Sequence, residues 1–164
     1  MKSVICGGVI LLLIGAAVSG YWYWTRDRRQ VENLLYEMVE LGSKKRASVP
    51  HEGILKFAGT DKVFADPVRV NAPRQKFSRD LDQAQCRSML ALLHRSVESL
   101  TIDIADLDVE ISGDQAVFSF DAEVEAVFRS GGKDKEIIQV TGKAVKNNSK
   151  WQVAELQVEF VINQ

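Results

Sequence analysis

Carboxylates supply the densest chemistry in this chain. Asp103, Asp106, Asp108, Glu110, Asp114, Asp121, Glu123 and Glu125 stand between residues 101 and 129, against one base, Arg129. Such a concentration attracts a basic partner or a divalent cation. The run Asp103-x-x-Asp106-x-Asp108 lacks the glycine and terminal glutamate of a helix–loop–helix calcium site, so the spacing favours a docking face over a built ion site. That face is assigned to Asp103, Asp106, Asp108, Asp121, Glu123 and Glu125. The competing reading is a solvated acidic surface screened by water and counter-ions.

Groups for acid–base, nucleophilic or metal chemistry are sparse. His51 and His94 lie far apart in sequence and form no ligand pair, and every tyrosine (Tyr21, Tyr23, Tyr36) precedes residue 37. Cys6 sits in an apolar N-terminal run and Cys86 on the apolar face of a helix, so they read as separate residues rather than a disulfide. Gly131-Gly132-Lys133 joins two strands and opens no helix, which excludes a phosphate-binding loop. Asn147-Asn148-Ser149 fits a glycosylation sequon and equally a hairpin turn. Lys44-Lys45-Arg46 suits a helix C-terminus, with a lipid-headgroup site as its rival; Arg69, Arg74, Lys76 and Arg79 read as a solvated basic loop or a contact for anionic lipid. No cofactor is expected, and a net charge of −1 with a pI near 6.1 gives no reason to bind nucleic acid.

The elements that must position these groups begin with an apolar segment. No charge occurs between Lys2 and Arg26, and Val4–Trp24 would span about 31 Å as a helix at roughly 1.5 Å per residue, enough for a hydrocarbon core. It ends in Tyr21-Trp22-Tyr23-Trp24, an aromatic belt, followed by Arg26, Arg28 and Arg29. The reading is a membrane anchor over residues 1–26, in contact with lipid through residues 4–24, ahead of one domain over 27–164. A cleavable signal peptide is the alternative, since Val18-Ser19-Gly20 offers small residues after the apolar run. The short N-terminal tail places the domain outside the cytoplasm, in the periplasm of a bacterial inner membrane.

Beyond the anchor, residues 27–45 read as an amphipathic helix with Val31, Leu34, Leu35, Met38 and Leu41 on one face. A shorter helix is predicted over His51–Phe64, stopped by Asp66-Pro67, then a short strand at Val68–Val70 and a loop over Asn71–Arg79. A third helix is predicted from an Asp80 cap to Leu100, with Cys86, Met89, Leu90, Leu93, Val97 and Leu100 within about 80° of one another. His94 lies about 100° from the centre of that stripe and reads as a boundary residue.

From Thr101 the hydrophobic period becomes 2, predicting strands over 101–112, 115–129, 134–146 and 150–162. A two-residue turn at Gly113-Asp114 sets Val109 against Phe118, Ile111 against Ala116 and Leu107 against Phe120. Ile102 and Ile104 reach the same face only with a bulge near Ala105, and Trp151 and Val153 match Leu156, Val158 and Phe160 only with a second near Ala154-Glu155. The register expected from this sets Asp106 opposite Asp121 and brings Asp103 near Glu123. Two bulges bend the sheet so that it wraps helices on its inner face. The fold class is α+β: a transmembrane helix, then three helices on a bent four-stranded antiparallel meander.

That order, with Val63-Phe64-Ala65-Asp66-Pro67-Val68-Arg69-Val70 and Trp151-Gln152-Val153-Ala154-Glu155-Leu156, resembles the nuclear transport factor 2-like superfamily, which includes ketosteroid isomerase-like and polyketide cyclase-like proteins. The resemblance implies a cystatin-like cone with a cavity between sheet and helices. Its apolar lining would be Phe118, Phe120, Val124, Val140, Val158, Phe160 and Leu93. Enzymes of that superfamily place an acid or base in the cavity; here the inner strand positions carry none, so a non-catalytic scaffold or interaction domain of the cell envelope is expected, with a protein partner there. A carrier or sensor of an apolar molecule is the main alternative, and an enzyme with helix-borne catalytic groups the third. An anchor ahead of such a domain is also similar to inner-membrane assembly factors of type IV secretion and to accessory proteins of lipid importers. The resemblance allows a homodimer through the outer sheet face, where like acidic surfaces would oppose each other.

Overall fold

Alternation of large apolar with polar residues builds the sheet that dominates the molecule. A computed structural model describes residues 25–46 and 56–161. The predicted membrane segment, residues 4–24, lies outside the described residues, as does the start of the predicted second helix. Among the described residues no helix is long and apolar enough to cross a membrane.

Helix α1 covers 25–42, and a short helix α2 covers Thr60–Val63. Strand β1 (Phe64–Ala72) leads through a 3-10 turn at Pro73–Gln75 to β2 (Phe77–Leu81), then helix α3 (Gln83–Ser96). The long strands β3 (Val97–Ser112), β4 (Gln115–Phe128), β5 (Lys133–Asn147) and β6 (Lys150–Phe160) complete the chain. The sheet has six strands in the order β2-β1-β6-β5-β4-β3. The predicted four-stranded meander is therefore two strands short: β1 pairs parallel with β6, and β2 adds antiparallel to β1. The sequence pattern showed only the Val68–Val70 part of β1, and Asn71–Arg79, predicted as a loop, instead ends β1 and carries the turn and the first half of β2. β2 is an edge strand exposing Ser78, Arg79 and Asp80, and β1 contains Pro67. Proline cannot donate to a ladder. Pro67 lies where β6 pairing is interrupted, between Phe64↔Val153 and Arg69↔Glu155, and before β2 pairing begins at Val68↔Leu81.

The register of β3–β6 agrees closely with the pattern in the sequence. Val109↔Phe118 and Ile111↔Ala116 pair as expected. β3 shifts between Ala105 and Asp108, leaving Asp106 and Leu107 against Phe120, and Ile104↔Ala122 and Ile102↔Val124 fall on the same face beyond it. Asp106 is the residue in this bulge with positive φ, 50°, a conformation short polar side chains tolerate. The second bulge is Ala154: Lys143 pairs with Glu155, and Ala144 already with Val153.

Helix α3 departs from the sequence reading at both ends. Its cap is Asp82, whose side chain accepts from the Gln85 N–H while Gln85 Oε1 accepts from the Asp82 N–H. Asp80 is instead paired with Arg69 on the sheet edge. At the other end the helix stops at Ser96, because Val97–Leu100 belongs to β3: Leu100 exchanges backbone hydrogen bonds with Lys44 at 2.7 and 2.9 Å, and Val97, Leu100 and Ala126 bury one another.

The core lies between α1 and the concave sheet face. Val31, Leu34, Leu35 and Leu41 of α1 meet Phe118, Phe120, Val140, Trp151 and Val153. Close packing here depends on Gly142. A Cβ at that position would come within 2.3 Å of the Glu155 carbonyl oxygen and 2.6 Å of the Phe118 ring, so only glycine admits both.

Candidate functional site

Of the lining residues expected for a cavity, Phe118, Phe120 and Val140 lie at the centre of the inner face and are at most 5% exposed. Their space is taken by one another and by α1: the Phe118 and Phe120 rings stack at 6.2 Å between centroids. Val124, Val158 and Phe160 are half-buried, toward the end where β4 and β6 finish. Leu93 does not line this face. Together with Met89 and Leu92 it is exposed, because α3 turns Cys86 and His94 inward instead. Helical-wheel reasoning assumed that apolar residues define the buried side; a histidine with a polar partner displaced them.

A carboxylate of α1 and an imidazole of α3 are buried, and α1 sets their separation. Asp27 sits in the first described turn of α1, on the stripe of Val31, Leu34 and Leu35. Lys146 Nζ reaches both its carboxylate oxygens, at 2.9 and 3.0 Å, and Trp151 Nε1 approaches Oδ1 at 3.5 Å. Lys146 and Trp151 are cross-strand partners at the β5–β6 hairpin, with the ammonium 5.6 Å from the indole ring. His94 lies at the other end. Its Nε2 is 2.9 Å from the Gly42 carbonyl oxygen, and since a carbonyl only accepts, Nε2 carries the proton. The Phe57 ring packs edge-on against the imidazole at 4.9 Å. Burial holds the His94 pKa below its ordinary 6.5, and the Gly42 hydrogen bond opposes this.

From Asp27 to Gly42 the helix rises by about 22 Å at 1.5 Å per residue. The acid and the imidazole thus sit at opposite ends of one helix, each occupied by a structural bond. Beside His94, Lys44 Nζ donates to the carbonyls of His94 and Val97 at 2.6 and 2.7 Å; desolvation lowers its pKa, assisted by Arg129. Burial likewise raises the Cys86 thiol. Among the described residues no cluster of His, Cys, Asp or Glu is arranged to hold a metal ion.

The outer sheet face carries the acidic residues. Asp103, Asp106, Asp108, Glu123 and Glu125 are exposed and Asp121 is half-buried. Asp103 lies directly opposite Glu123 and Thr101 opposite Glu125. Asp121 faces Ala105 rather than Asp106, because the bulge moves Asp106 off the ladder. Compensation comes from Lys135, which pairs with Glu123; that hydrogen bond and the nearby Glu125 and Asp103 raise its pKa. Lys143 pairs with Glu155 at 3.2 Å in a neighbouring row. There Arg69–Asp80 and Lys143–Glu155 flank a groove of about 360 Å³ over Pro67, Val117, Val145 and Ala154.

Sequence reasoning passed over Asp27. The signal was available, since Asp27 precedes Val31 by four positions and Leu34 by seven, which puts a carboxylate on the buried stripe.

No protein-family model and no curated protein matches the chain. Solved structures do. The Kfla4162 protein of Kribbella flavida superposes with a TM-score of 0.68 at 13% identity, covering 84% of this chain and 93% of its own. A hexachlorocyclohexane dehydrochlorinase, LinA type 2, gives 0.69 at 9% identity over 84% and 87%. A nuclear transport factor 2-like protein with a cystatin-like fold from Novosphingobium aromaticivorans gives 0.67 at 11% identity over 90% of each chain. At such identities the likeness is one of fold. The helices on a bent sheet described above are therefore the cystatin-like, nuclear transport factor 2-like α+β fold.

Proposed function

We propose that this protein is a non-catalytic interaction domain tethered to a bacterial inner membrane by residues 4–24, offering the acidic face of β3 and β4 to a basic protein partner in the envelope. One observation carries the non-catalytic part: among the described residues the buried carboxylate, Asp27, and the buried imidazole, His94, flank the packed core from opposite ends of α1, each consumed by a structural bond. Acid–base catalysis needs such groups to converge within hydrogen-bond reach of one reacting atom. The tether rests on the apolar stretch and its aromatic belt. The docking face rests on the exposure of Asp103, Asp108, Glu123 and Glu125 together with the like-charge pair Asp103–Glu123.

The test is site-specific photo-crosslinking in membranes from Asp108 and, as a control, from Ser78 on β2. A defined adduct from Asp108, lost in the Asp103→Asn/Glu125→Gln variant, supports the docking face; identical patterns from both positions refute it.

A second reading is favoured by the half-buried Val124, Ile138, Val158 and Phe160 at the wider end of the inner face: an apolar small molecule or lipid bound there. The dehydrochlorinase among the structural neighbours acts on a small apolar molecule, in keeping with this reading. Native mass spectrometry of the full chain would then show a retained molecule that Val158→Trp displaces.

A further inference from the structure

We infer that the outer sheet face over β2, β1, β6 and β5 is self-complementary, and that a second copy of this chain docks on it about a two-fold axis running along the strands between β1 and β6. The inference is independent of the acidic docking face on β3 and β4, and it leaves that face free.

Charge order carries it. One row across the outer face reads Asp80, Arg69, Glu155, Lys143, each residue on its own strand and directly paired with the next. The signs alternate minus, plus, minus, plus. A two-fold axis lying in the interface and parallel to the strands turns the second copy over and reverses this order. Asp80 then faces Lys143 of the second copy, and Arg69 faces its Glu155. An axis lying along the row would instead set each of these charges against itself. Strands of the two stacked sheets also stay aligned in the first arrangement, the usual geometry for sheets packed face to face.

Neighbouring rows repeat the match. Ser78, Asn71, Gln157 and Thr141 are paired in the same strand order. Reversal sets Asn71 on Gln157 and Ser78 on Thr141, amide on amide and hydroxyl on hydroxyl, groups that both donate and accept. Glu159, two places beyond Gln157 on β6, falls over the turn at Pro73–Gln75 of the second copy, where Arg74 and Lys76 are exposed. On the other side of the charged row, the groove brings Pro67 of β1 and Ala154 of β6 together, so small apolar surface lies where the axis passes.

Four strands about 4.8 Å apart, overlapping for roughly seven residues at about 3.3 Å each, give a patch of about 440 Å² per copy. The total of about 900 Å² is at the small end of specific interfaces and fits a dimer in exchange with monomer. Each ion pair of the row is exposed and contributes little alone. Stacking two rows gives every charge an opposite neighbour above as well as beside it, and like charges penalise other registers. The offset of the axis also spares β3 and β4. Their outer face lies beyond the edge strand β2 of the second copy, so Asp103, Glu123 and Glu125 do not confront themselves. The opposition of like acidic surfaces does not arise, and the dimer presents two acidic faces.

The test uses the full chain in detergent, in a Cys6→Ser, Cys86→Ala background. Ser78→Cys protein and Thr141→Cys protein are treated with a short bis-maleimide, separately and mixed. The expected result is a covalent dimer about tenfold more abundant in the mixture, because like positions are displaced by three strand spacings, about 14 Å. That yield should fall with added salt. Lys143→Glu in both proteins should cut it about tenfold, and adding Asp80→Lys should restore it, although both internal ion pairs are then broken. These two side chains are 58% and 51% exposed, so the fold is not at stake. No dimer, or equal yields from separate and mixed proteins, overturns the inference. An unchanged yield with Lys143→Glu, or no recovery with Asp80→Lys, overturns the charge match and the axis with it.

Discussion

The two faces of one sheet follow different physics. On the inner face Phe118, Phe120, Val140, Trp151 and Val153 are nearly inaccessible, and the polar groups near them, Asp27 and His94, are each satisfied by a specific partner. On the outer face charges alternate in rows, Asp80–Arg69–Glu155–Lys143 for one, with each pair largely exposed. Exposed pairs contribute little and tolerate change. A buried pair leaves an uncompensated charge when one member is removed. The inner face therefore determines whether the chain folds, and the outer face is free to be shaped by a partner.

The largest effect expected from this contrast is at Asp27. Asp27→Ala takes both carboxylate oxygens from the Lys146 ammonium, whose side chain is 10% exposed, and should cost about 3–5 kcal/mol. Adding Lys146→Met should restore most of that loss, since the apolar pair needs no counter-charge. Urea unfolding of both variants checks this; no rescue in the double variant would mean that the pair is not what stabilises this end. Gly142→Ala comes next. Its Cβ must displace the Phe118 ring and the Glu155 carbonyl, an overpacking cost of about 1–3 kcal/mol measurable in the same experiment. Val117→Ala, next to Phe118 on β4 but pointing outward and 54% exposed, should change stability far less.

A smaller effect concerns pH. Burial lowers the His94 pKa, so between that value and the unfolded value near 6.5 the unfolded chain binds a proton that the native state excludes. Stability contributed by the neutral imidazole is complete above pH 6.5 and is lost as pH falls below it. Lys44 and Lys56, which oppose a charged His94, act in the same direction. The urea midpoint of the wild type should fall on acidification from about pH 7 to about pH 5, and His94→Gln, which keeps a donor for Gly42, should flatten that fall. An unchanged slope in the variant would assign the pH dependence to carboxylates instead.

How much of this was legible in the sequence follows from the same contrast. Strands β3 to β6 alternate large apolar and polar residues for eleven or more positions, so even their two bulges showed as parity slips at Ala105 and Ala154. Strands β1 and β2 are short of that signal: Pro67 interrupts one and three exposed polar residues make up the middle of the other. The pairing of β1 with β6 is also a long-range event that no local pattern encodes. The rotation of α3 was misjudged for a chemical reason. Hydrophobicity placed Met89 and Leu93 inside, whereas the free Gly42 carbonyl at the end of α1 selects His94. Asp27 and Lys146 are distant in sequence, and only the position of Asp27 on an apolar stripe marked it as paired.

The smallest effect tests the outer face itself. Asp103 and Glu123 are direct cross-strand neighbours, and like charges so placed are destabilising by up to about 1 kcal/mol relative to a neutral pair. Lys135 pairs with Glu123 and stands opposite Glu125, with Asp103 also in its field, so one cation is shared among three carboxylates. Asp103→Asn with Glu125→Gln should raise the urea midpoint slightly, and the gain should vanish in high salt, where screening has already removed the repulsion. A loss of stability would mean that Lys135 depends on all three carboxylates, and that this face is optimised for the folded monomer. A gain means the repulsion is retained against stability, as expected of a surface whose charge serves a partner.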